Sequence, residues 1–264
     1  MGAAVGRKVI DLESRQRLKN RPQMLFFDRV APTGARPALG SASDGQDYWV
    51  KFAQNDQGSE TVVNEVVASI VGDSIGAPVA PWAIVEVPLG LKQILDGRLI
   101  VPGPAFGSRV IHLAEENRMP QGIPHVLSDG NINRIPLMVA MWELCNALDI
   151  QAVFDNGDDR KIYSIDHGFW FGSYPYPWKL SEKSMFPQID HVPMPSREIP
   201  DDCWKQAEIA LEGLNDEVIG RAVEIVPKEW GHEESEIERL VEFAIGRKDN
   251  ARNQLRRFRK EVGK

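Results

Sequence analysis

Ile165-Asp166-His167-Gly168 closes a run of strand-forming residues that begins at Lys161. The Gly allows the chain to turn sharply after the strand, so the Asp166 carboxylate is held at the strand end. Mg²⁺ prefers such oxygen ligands and fills its remaining positions with water or phosphate oxygens. The sequence therefore indicates a metal-binding carboxylate at Asp166, with an Asp that only forms a turn as the alternative interpretation.

Two charged residues upstream, Lys51 and Glu65, support a functional interpretation of the Asp166 carboxylate. Lys51 lies in the apolar strand Tyr48-Trp49-Val50-Lys51-Phe52, where a Lys is costly to bury unless an anion meets it. Glu65 lies on a helix predicted to begin after Ser59, because apolar residues recur there at helical spacing. A phosphate-binding cation, its positioning carboxylate and a metal ligand follow one another in the order used by ATP-dependent phosphotransferases.

The two halves of the chain differ in their patterns. Strands are predicted over residues 38–43, 48–52 and 82–87, with a helix between the last two, and the Pro- and Gly-rich residues 102–107 are typical of a linker. Helices are predicted over residues 134–148, 202–211, 215–225 and 235–258, and an Asn156-Gly157 hairpin over residues 151–165. We predict an α+β fold with two lobes: a basic segment (1–22), a small β-rich N-lobe (23–102) and a mostly α C-lobe (103–264).

The amino-acid composition limits the classes of protein to which this chain can belong. The 264 residues are 42% hydrophobic and 26% charged, which is ordinary globular usage and disfavours disorder, collagen and coiled coil. The net charge of -7 makes nucleic acid an unfavoured partner. Cys145 and Cys203 have no zinc-type spacing, so a reducing, cytoplasmic location is the natural expectation.

Both chain ends are basic. Residues 1–21 have no continuous apolar core and do not resemble a secretory signal, and no segment is long enough for a membrane span. Residues 247–264 are typical of a solvated terminal helix whose basic end suits the helix dipole. A docking tail for nucleic acid or protein is the alternative.

Several further residues are candidates for the same chemistry. Asp149 ends a buried helix just before the hairpin and is the candidate that orients or deprotonates an acceptor hydroxyl. Gln151 is the candidate second metal ligand, through its amide oxygen. Gly34, Ala35 and Arg36 precede the first hairpin strand and offer backbone amides for phosphate contact.

These residues resemble the HipA-like kinases, particularly their shorter stand-alone members, which are distant relatives of the phosphatidylinositol 3- and 4-kinases. The resemblance covers roughly residues 26–249. Its most specific pieces are Asn64-Glu65 and Ile165-Asp166-His167-Gly168. The other segments that support the resemblance are Gly34-Ala35-Arg36-Pro37, Tyr48-Trp49-Val50-Lys51-Phe52, Gly76-Ala77-Pro78-Val79 and Gly103-Pro104-Ala105-Phe106-Gly107.

The resemblance implies a protein-kinase-like fold that uses ATP and Mg²⁺. Lys51 would hold the phosphates, Glu65 would pair with it and Asp166 would bind the metal. Glu86 and Val87 would form the hinge that contacts adenine through backbone groups. The implied activity is transfer of the γ-phosphoryl group to a hydroxyl, most plausibly a Ser or Thr of a protein partner.

Two positions depart from the family pattern. The catalytic Asp of the family is followed by Arg and then a metal-binding Asn, whereas residues 149–154 read Asp-Ile-Gln-Ala-Val-Phe. Trp49 stands where a small residue leaves room for the purine. The interpretation of the chain as a pseudokinase that binds nucleotide without efficient transfer is therefore an open alternative. A second open alternative is a metal-dependent hydrolase whose site is built from Asp155, Asp158, Asp159, Asp166 and His167.

Overall fold

A computed structural model describes residues 21–173, 178, 180 and 188–261. The predicted basic segment, residues 1–22, lies outside the described residues except for Arg21 and Pro22. The strands are β1 (Met24–Val30), β2 (Ala38–Ala42), β3 (Asp47–Lys51), β4 (Trp82–Val87), β5 (Ile94–Leu95), β6 (Arg98–Leu99), β7 (Gly103–Arg109), β8 (Ala114–Arg118), β9 (Gln151–Asp155) and β10 (Lys161–Ile165). The α-helices are α1 (Glu60–Ile75), α2 (Asn131–Leu144), α3 (Asp201–Ala210), α4 (Asp216–Ile225), α5 (Glu234–Gly246) and α6 (Lys248–Glu261). Short 3-10 helices lie at Met119–Gln121, Ser128–Gly130, Gln188–His191, Leu211–Gly213 and Lys228–Trp230.

The chain forms a mixed α/β structure, with a five-stranded sheet in its first part and most helices in its second. The sheet order is β1-β2-β3-β7-β4, and the neighbouring strands pair antiparallel. Because side chains alternate along a strand, Trp49 and Lys51 share the face that carries Phe106, which packs into the core around α1. Tyr48 and Val50 lie on the opposite face, in a separate apolar cluster.

β7 shows that the predicted linker at residues 102–107 is largely a strand. It pairs with β3 on one side and β4 on the other, so the first sheet continues to Arg109. Gly103, Pro104 and Gly107 are poor strand formers in isolation, which is why the pattern was typical of a linker. The structure explains Gly107, because an added Cβ would lie 2.9 Å from both Tyr48 and Val85.

α1 is the central helix of the molecule. Most of its residues are buried on every side, since it packs against β7 and against α2, α4 and α5. It ends at Gly76, whose φ of 72° is left-handed and suits a residue without a side chain. The helix is thus fixed firmly enough to hold a buried functional side chain.

The β9–β10 hairpin confirms the second predicted turn. Gln151 pairs with Ile165, so Asp149 and Asp166, which flank these strand ends, lie at the same end of the hairpin. β8 adds to the hairpin by pairing with β9. The helices α2 to α6 then form the rest of the second part.

The predicted helix over residues 235–258 is two helices, α5 and α6. The break lies at Arg247, whose backbone leaves helical geometry at φ -92° and ψ 4°. Its guanidinium turns inward and lies 2.7 Å from the Glu143 carboxylate, while its Nε donates to the Glu143 carbonyl oxygen at 2.6 Å. Burial of this pair explains a break that helical periodicity does not reveal.

Basic residues of α6 form ion pairs with acidic residues elsewhere in the same chain. Arg252 contacts Glu212, Arg256 contacts Glu208, Arg257 contacts Asp190, Arg259 contacts Asp201 and Lys248 contacts Glu212. These contacts favour the interpretation of α6 as a packed surface helix over a docking tail. In the part of the chain that the structure describes, no helix is both long and apolar enough to cross a bilayer.

We expect Arg247→Met to lower the free energy of unfolding by about 3 kcal/mol, because it leaves the half-buried Glu143 carboxylate without its cation. Urea denaturation monitored by circular dichroism measures this loss. Lys228→Met is the control, since Lys228 is 82% exposed and its pair with Glu234 should add little. The double variant Arg247→Met/Glu143→Gln should recover part of the loss. A loss no larger than that of the control would show that the buried pair does not stabilise this junction.

Candidate active site

Lys51 joins two carboxylates that are distant in the sequence. Its Nζ lies 2.5 Å from Glu65 Oε1 and 2.6 Å from Asp166 Oδ1. The Glu65 side chain is 2% exposed, that of Lys51 is 12% exposed and that of Asp166 is 44% exposed. The three predicted residues therefore converge, with Asp166 facing solvent and Glu65 behind Lys51.

Each of the three residues comes from a different element. Lys51 is the last residue of β3 and lies opposite Phe106, so the apolar core beside it directs its side chain toward α1. Glu65 lies in the second turn of α1. Asp166 directly follows β10 and has a left-handed φ of 59°, which Asp tolerates better than most residues. The site thus depends on the contact between the first sheet, α1 and the hairpin.

The charges of this group stabilise one another. Burial alone would lower the pKa of Lys51, but the carboxylates of Glu65 and Asp166 raise it above its ordinary value. Lys51 in turn lowers the pKa of Asp166, against the opposing effect of burial. Burial raises the pKa of Glu65, although Lys51 opposes the shift. Lys51 is therefore cationic and Asp166 anionic at neutral pH.

Gln151 links the two carboxylates at the hairpin end. Its Nε2 donates to Asp149 Oδ2 at 3.0 Å and to Asp166 Oδ2 at 3.2 Å. Asp149, like Asp166, has a left-handed φ, here 55°. The structure therefore brings Asp149 and Gln151 to the Lys51 group, as their positions in the sequence predicted. Asp149 is exposed, so its carboxylate is open to contact from solvent beside Asp166.

The donors at this end of the hairpin fit a magnesium ion bound together with phosphate. Among the described residues, no group of three or more His, Cys, Asp or Glu side chains is arranged to hold a metal alone. Mg²⁺ commonly needs only one or two carboxylates when substrate phosphates and water supply the other ligands. The exposed Asp166 carboxylate would provide one ligand, and the Gln151 amide would provide a second after rotating to turn its oxygen, in place of Nε2, toward the ion.

His167 is a structural residue rather than a ligand or base. Its ring is 2% exposed, packs 4.3 Å from the Trp170 ring and lies with Nε2 3.1 Å from Ser164 Oγ. Its backbone N–H donates to Glu65 Oε2 at 3.1 Å. Burial, and then the charge of Lys51, lower the pKa of His167 to about 3. The neutral ring is enclosed and does not reach the exposed side of the site.

Gly34, Ala35 and Arg36 form a turn between β1 and β2. The Arg36 N–H donates to the Thr33 carbonyl oxygen at 3.0 Å, and no backbone hydrogen bond from the N–H groups of Gly34 or Ala35 is found within the described residues. An added Cβ on Gly34 would lie 2.4 Å from Gln57 Nε2, so the turn lies against the loop that follows β3. The Arg36 side chain points toward the carbonyl of Asp96 instead. The backbone of Gly34 and Ala35 therefore stays available to an anion.

Glu86 and Val87 are not brought to the Lys51 group. They lie on the edge strand β4, and β7 separates them from β3. The Glu86 N–H donates to the Pro22 carbonyl oxygen at 2.9 Å, and Val87 is only 1% exposed in the cluster on the opposite face. Among the described residues, Glu86 and Val87 thus lie two strands from Lys51, and the Glu86 N–H is already bonded. The physical reason is the strand order, which places β7 beside β3.

Trp49 lies on the same sheet face as Lys51, two positions before it. It is partly exposed, and the Arg29 guanidinium lies 5.8 Å from its ring centroid. Ser108 of β7 is its cross-strand partner, and residues 110–113 connect that strand to β8. An aromatic face therefore lies two positions from the cation of the site, and the connecting backbone begins at the other end of β3, where the Val110 N–H donates to the Asp47 carbonyl oxygen at 2.8 Å.

The acids of the hydrolase alternative are not assembled. Asp155 pairs with Lys161 at the opposite end of the hairpin from the Gln151–Ile165 pair. Asp158 and Asp159 lie in the exposed turn beyond Asp155. The structure thus leaves Asp166 without these carboxylates, which removes the donor set that the hydrolase hypothesis needs.

Asn64 is a residue whose role the sequence alone did not indicate. It is fully buried in α1, and its carboxamide bonds to the segment after Asp166. The available signals were a weak helix former, Asn, in a mostly apolar helix, and its place beside Glu65 in one of the most specific pieces of the resemblance. Such a residue needs hydrogen-bond partners, but the sequence does not say which.

Comparisons with known proteins agree with part of this picture. The model of the HipA-like kinase family matches residues 26–126, which is less than half of the chain. The match contains Lys51 and Glu65 and ends before Asp149 and Asp166. It supports a kinase-type function. No curated protein matches the sequence.

One solved structure is similar in outline. It is the crystal structure of the proinflammatory kinase CtkA from Helicobacter pylori, with 12% sequence identity and a TM-score of 0.49. The alignment covers 89% of this chain and 98% of that chain.

Proposed function

We propose that this protein, whose residues 26–126 match the HipA-like kinase family, is an ATP-dependent kinase that transfers the γ-phosphoryl group to a hydroxyl. One observation carries the proposal. Lys51 contacts both a buried helical carboxylate and an exposed carboxylate from a distant hairpin. A structural ion pair needs only one partner, whereas phosphoryl transfer needs a cation, its positioning partner and a metal ligand together.

The nucleotide lies across the exposed side of this group. Lys51 moves from Asp166 to phosphate oxygens, while Glu65 keeps the ammonium in place from behind. The backbone of Gly34 and Ala35 contributes N–H donors to the phosphates. The base lies toward Trp49 and the backbone of residues 110–113, a placement that replaces the hinge predicted at Glu86 and Val87.

Asp166 and the Gln151 amide oxygen would hold Mg²⁺, which would supply positive charge to neutralise the charge that develops on the transferred group. Asp149 orients the acceptor hydroxyl and accepts its proton, because it is exposed and adjacent to the metal-binding side chains. The acceptor is a Ser or Thr of a protein, and this part of the proposal rests on the resemblance to HipA-like kinases. A cytoplasmic location also stays a proposal.

Purified protein incubated with Mg²⁺ and γ-labelled ATP tests the proposal. We expect label to appear on the protein itself or on an added protein acceptor, and to require the divalent cation. Binding of nucleotide without any labelled product would instead favour a pseudokinase. The absence of Arg and Asn after Asp149 is the observation that favours this second candidate.

We expect Asp149→Asn to reduce transfer by about 10²-fold or more, because the amide cannot accept the acceptor proton. Nucleotide affinity should change little, since Asp149 is not assigned to the phosphates. Comparing the labelling rate with the calorimetric dissociation constant separates the two effects. Asp202→Asn, on the exposed end of α3, is the matched control. Unchanged labelling by Asp149→Asn would remove Asp149 from the mechanism.

A further inference from the structure

Asn64 and Glu65 are adjacent residues of α1 that bind backbone groups of two consecutive residues, His167 and Gly168, in the segment after β10. Glu65 Oε2 accepts from the His167 N–H at 3.1 Å. Asn64 Nδ2 donates to the Gly168 carbonyl oxygen at 2.7 Å. One helix, α1, therefore holds the turn that carries Asp166 through the His167 N–H and the Gly168 carbonyl oxygen.

The orientation of the Asn64 carboxamide follows from its partners. Its nitrogen faces the carbonyl oxygens of Gly168 and Trp170, which can only accept, and also Ser173 Oγ at 2.9 Å. Its oxygen faces the indole N–H of Trp178 at 2.8 Å, which can only donate. No other assignment of the nitrogen and oxygen satisfies these groups. The buried amide is thus committed entirely to the segment that follows Asp166.

A second contact ties the same segment to the start of α1. The Trp178 ring lies 5.0 Å from the His232 ring, and His232 Nε2 lies 2.9 Å from Ser59 Oγ. Ser59 therefore does not cap the helix with its side chain and instead contributes to this cluster. The contacts of Asn64 are part of a larger junction between α1 and the segment that ends at Trp178.

This junction bears on Asp166 because the Asp166 backbone is left-handed, at φ 59°. Asp tolerates this conformation better than most residues, and neighbouring contacts hold it in place. The hydrogen bonds at His167 and Gly168 are those contacts, and they come from residues 64 and 65. Asn64 and Glu65 both bond to the turn, and Glu65 also accepts a hydrogen bond from Lys51.

We infer that Asn64 is a positioning residue for phosphoryl transfer: by fixing the Gly168 carbonyl against α1, it holds the Asp166 carboxylate at the distance from Lys51 that Mg²⁺ and nucleotide require. The inference rests on the proposed function. Asn64 does not touch the nucleotide or the metal, since its side chain is buried within α1 and the segment. Its effect reaches the site through the backbone of residues 166–168.

Mg²⁺-dependent binding of a non-hydrolysable ATP analogue, measured by calorimetry, tests this role without requiring turnover. We expect Asn64→Leu to raise the Mg²⁺ concentration for half-saturation by about tenfold or more, because supporting residues of metal sites have effects of this size. Val71→Ala is the control, since Val71 is buried in the same helix and its apolar side chain cannot hydrogen-bond to the segment. It should lower the melting temperature and leave the Mg²⁺ requirement unchanged.

Equal Mg²⁺ requirements for Asn64→Leu and Val71→Ala would overturn the inference and leave Asn64 with a structural role only. Should Asn64→Leu fail to fold, Ser173→Ala decides, because it removes one acceptor of Asn64 and the contact of Ser173 Oγ with the Gly168 carbonyl. An unchanged Mg²⁺ requirement in Ser173→Ala would then overturn it. Absence of labelled product in the parent protein, with the Asn64 effect on binding intact, would refute the proposed transfer and keep only the role of Asn64 in positioning Asp166 for Mg²⁺ and nucleotide binding. Absence of nucleotide binding in the parent protein would contradict both.

Discussion

Lys51→Met should abolish detectable phosphoryl transfer, with a loss of at least about 10²-fold, because it removes the cation that meets the phosphates in a partly buried site. Nucleotide affinity should fall as well, since Lys51 is the cation nearest to both carboxylates of the site. Labelling with γ-labelled ATP and calorimetry with an ATP analogue measure the two effects. Lys161→Met, on the hairpin strand β10, is the control and should retain both activities.

The same substitution also affects stability, and the two effects can be separated. Without Lys51, the Glu65 carboxylate is buried with no cation, so it must take up a proton or destabilise the fold. Lys51→Met/Glu65→Gln should therefore recover the melting temperature without recovering transfer. Transfer by the folded double variant at the parent rate would show that Lys51 serves the fold and not the chemistry.

Asp166→Asn should have a comparable effect on transfer and a different one on binding. The amide keeps the shape of the side chain but removes the negative charge that attracts Mg²⁺, so transfer should fall by about 10²-fold or more. Residual nucleotide binding should lose its dependence on Mg²⁺, because Lys51 still contacts the phosphates. Calorimetry with the ATP analogue at several Mg²⁺ concentrations makes this measurement.

Asp158→Asn is the matched control for Asp166→Asn, since Asp158 lies in the turn at the opposite end of the same hairpin. It should transfer phosphate and respond to Mg²⁺ like the parent protein. Persistence of Mg²⁺-dependent binding in Asp166→Asn would place the metal elsewhere and would remove Asp166 from the mechanism.

Much of the site could be predicted from the sequence because its residues lie in elements with strong local signals. Lys51 is the last residue of an apolar strand that follows an Asp-Gly turn, and Asp166 directly follows a hairpin with an Asn-Gly turn. Such turns fix register locally, so the side chains at the strand ends follow from them. The convergence of Lys51 with Asp166 needed the structure, since no local pattern joins residues 115 positions apart.

The remaining features depend on tertiary contacts. β7 is rich in Gly and Pro, and it forms a strand because Tyr48 and Val85 pack across Gly107. Its position beside β3 is what moves the proposed base site away from Glu86 and Val87. The break at Arg247 depends on the distant Glu143, and the partners of Asn64 lie about a hundred residues along the chain. Periodicity and propensity carry no information on such contacts.

A crystal structure with a non-hydrolysable ATP analogue and Mn²⁺ tests the central claim most directly, because anomalous scattering locates the metal independently of the nucleotide. The account predicts a Mn²⁺ peak bound to Asp166, with Lys51 on phosphate oxygens, still contacting Glu65 and withdrawn from Asp166. A nucleotide bound elsewhere, with the Lys51–Asp166 contact of 2.6 Å unbroken, would contradict it.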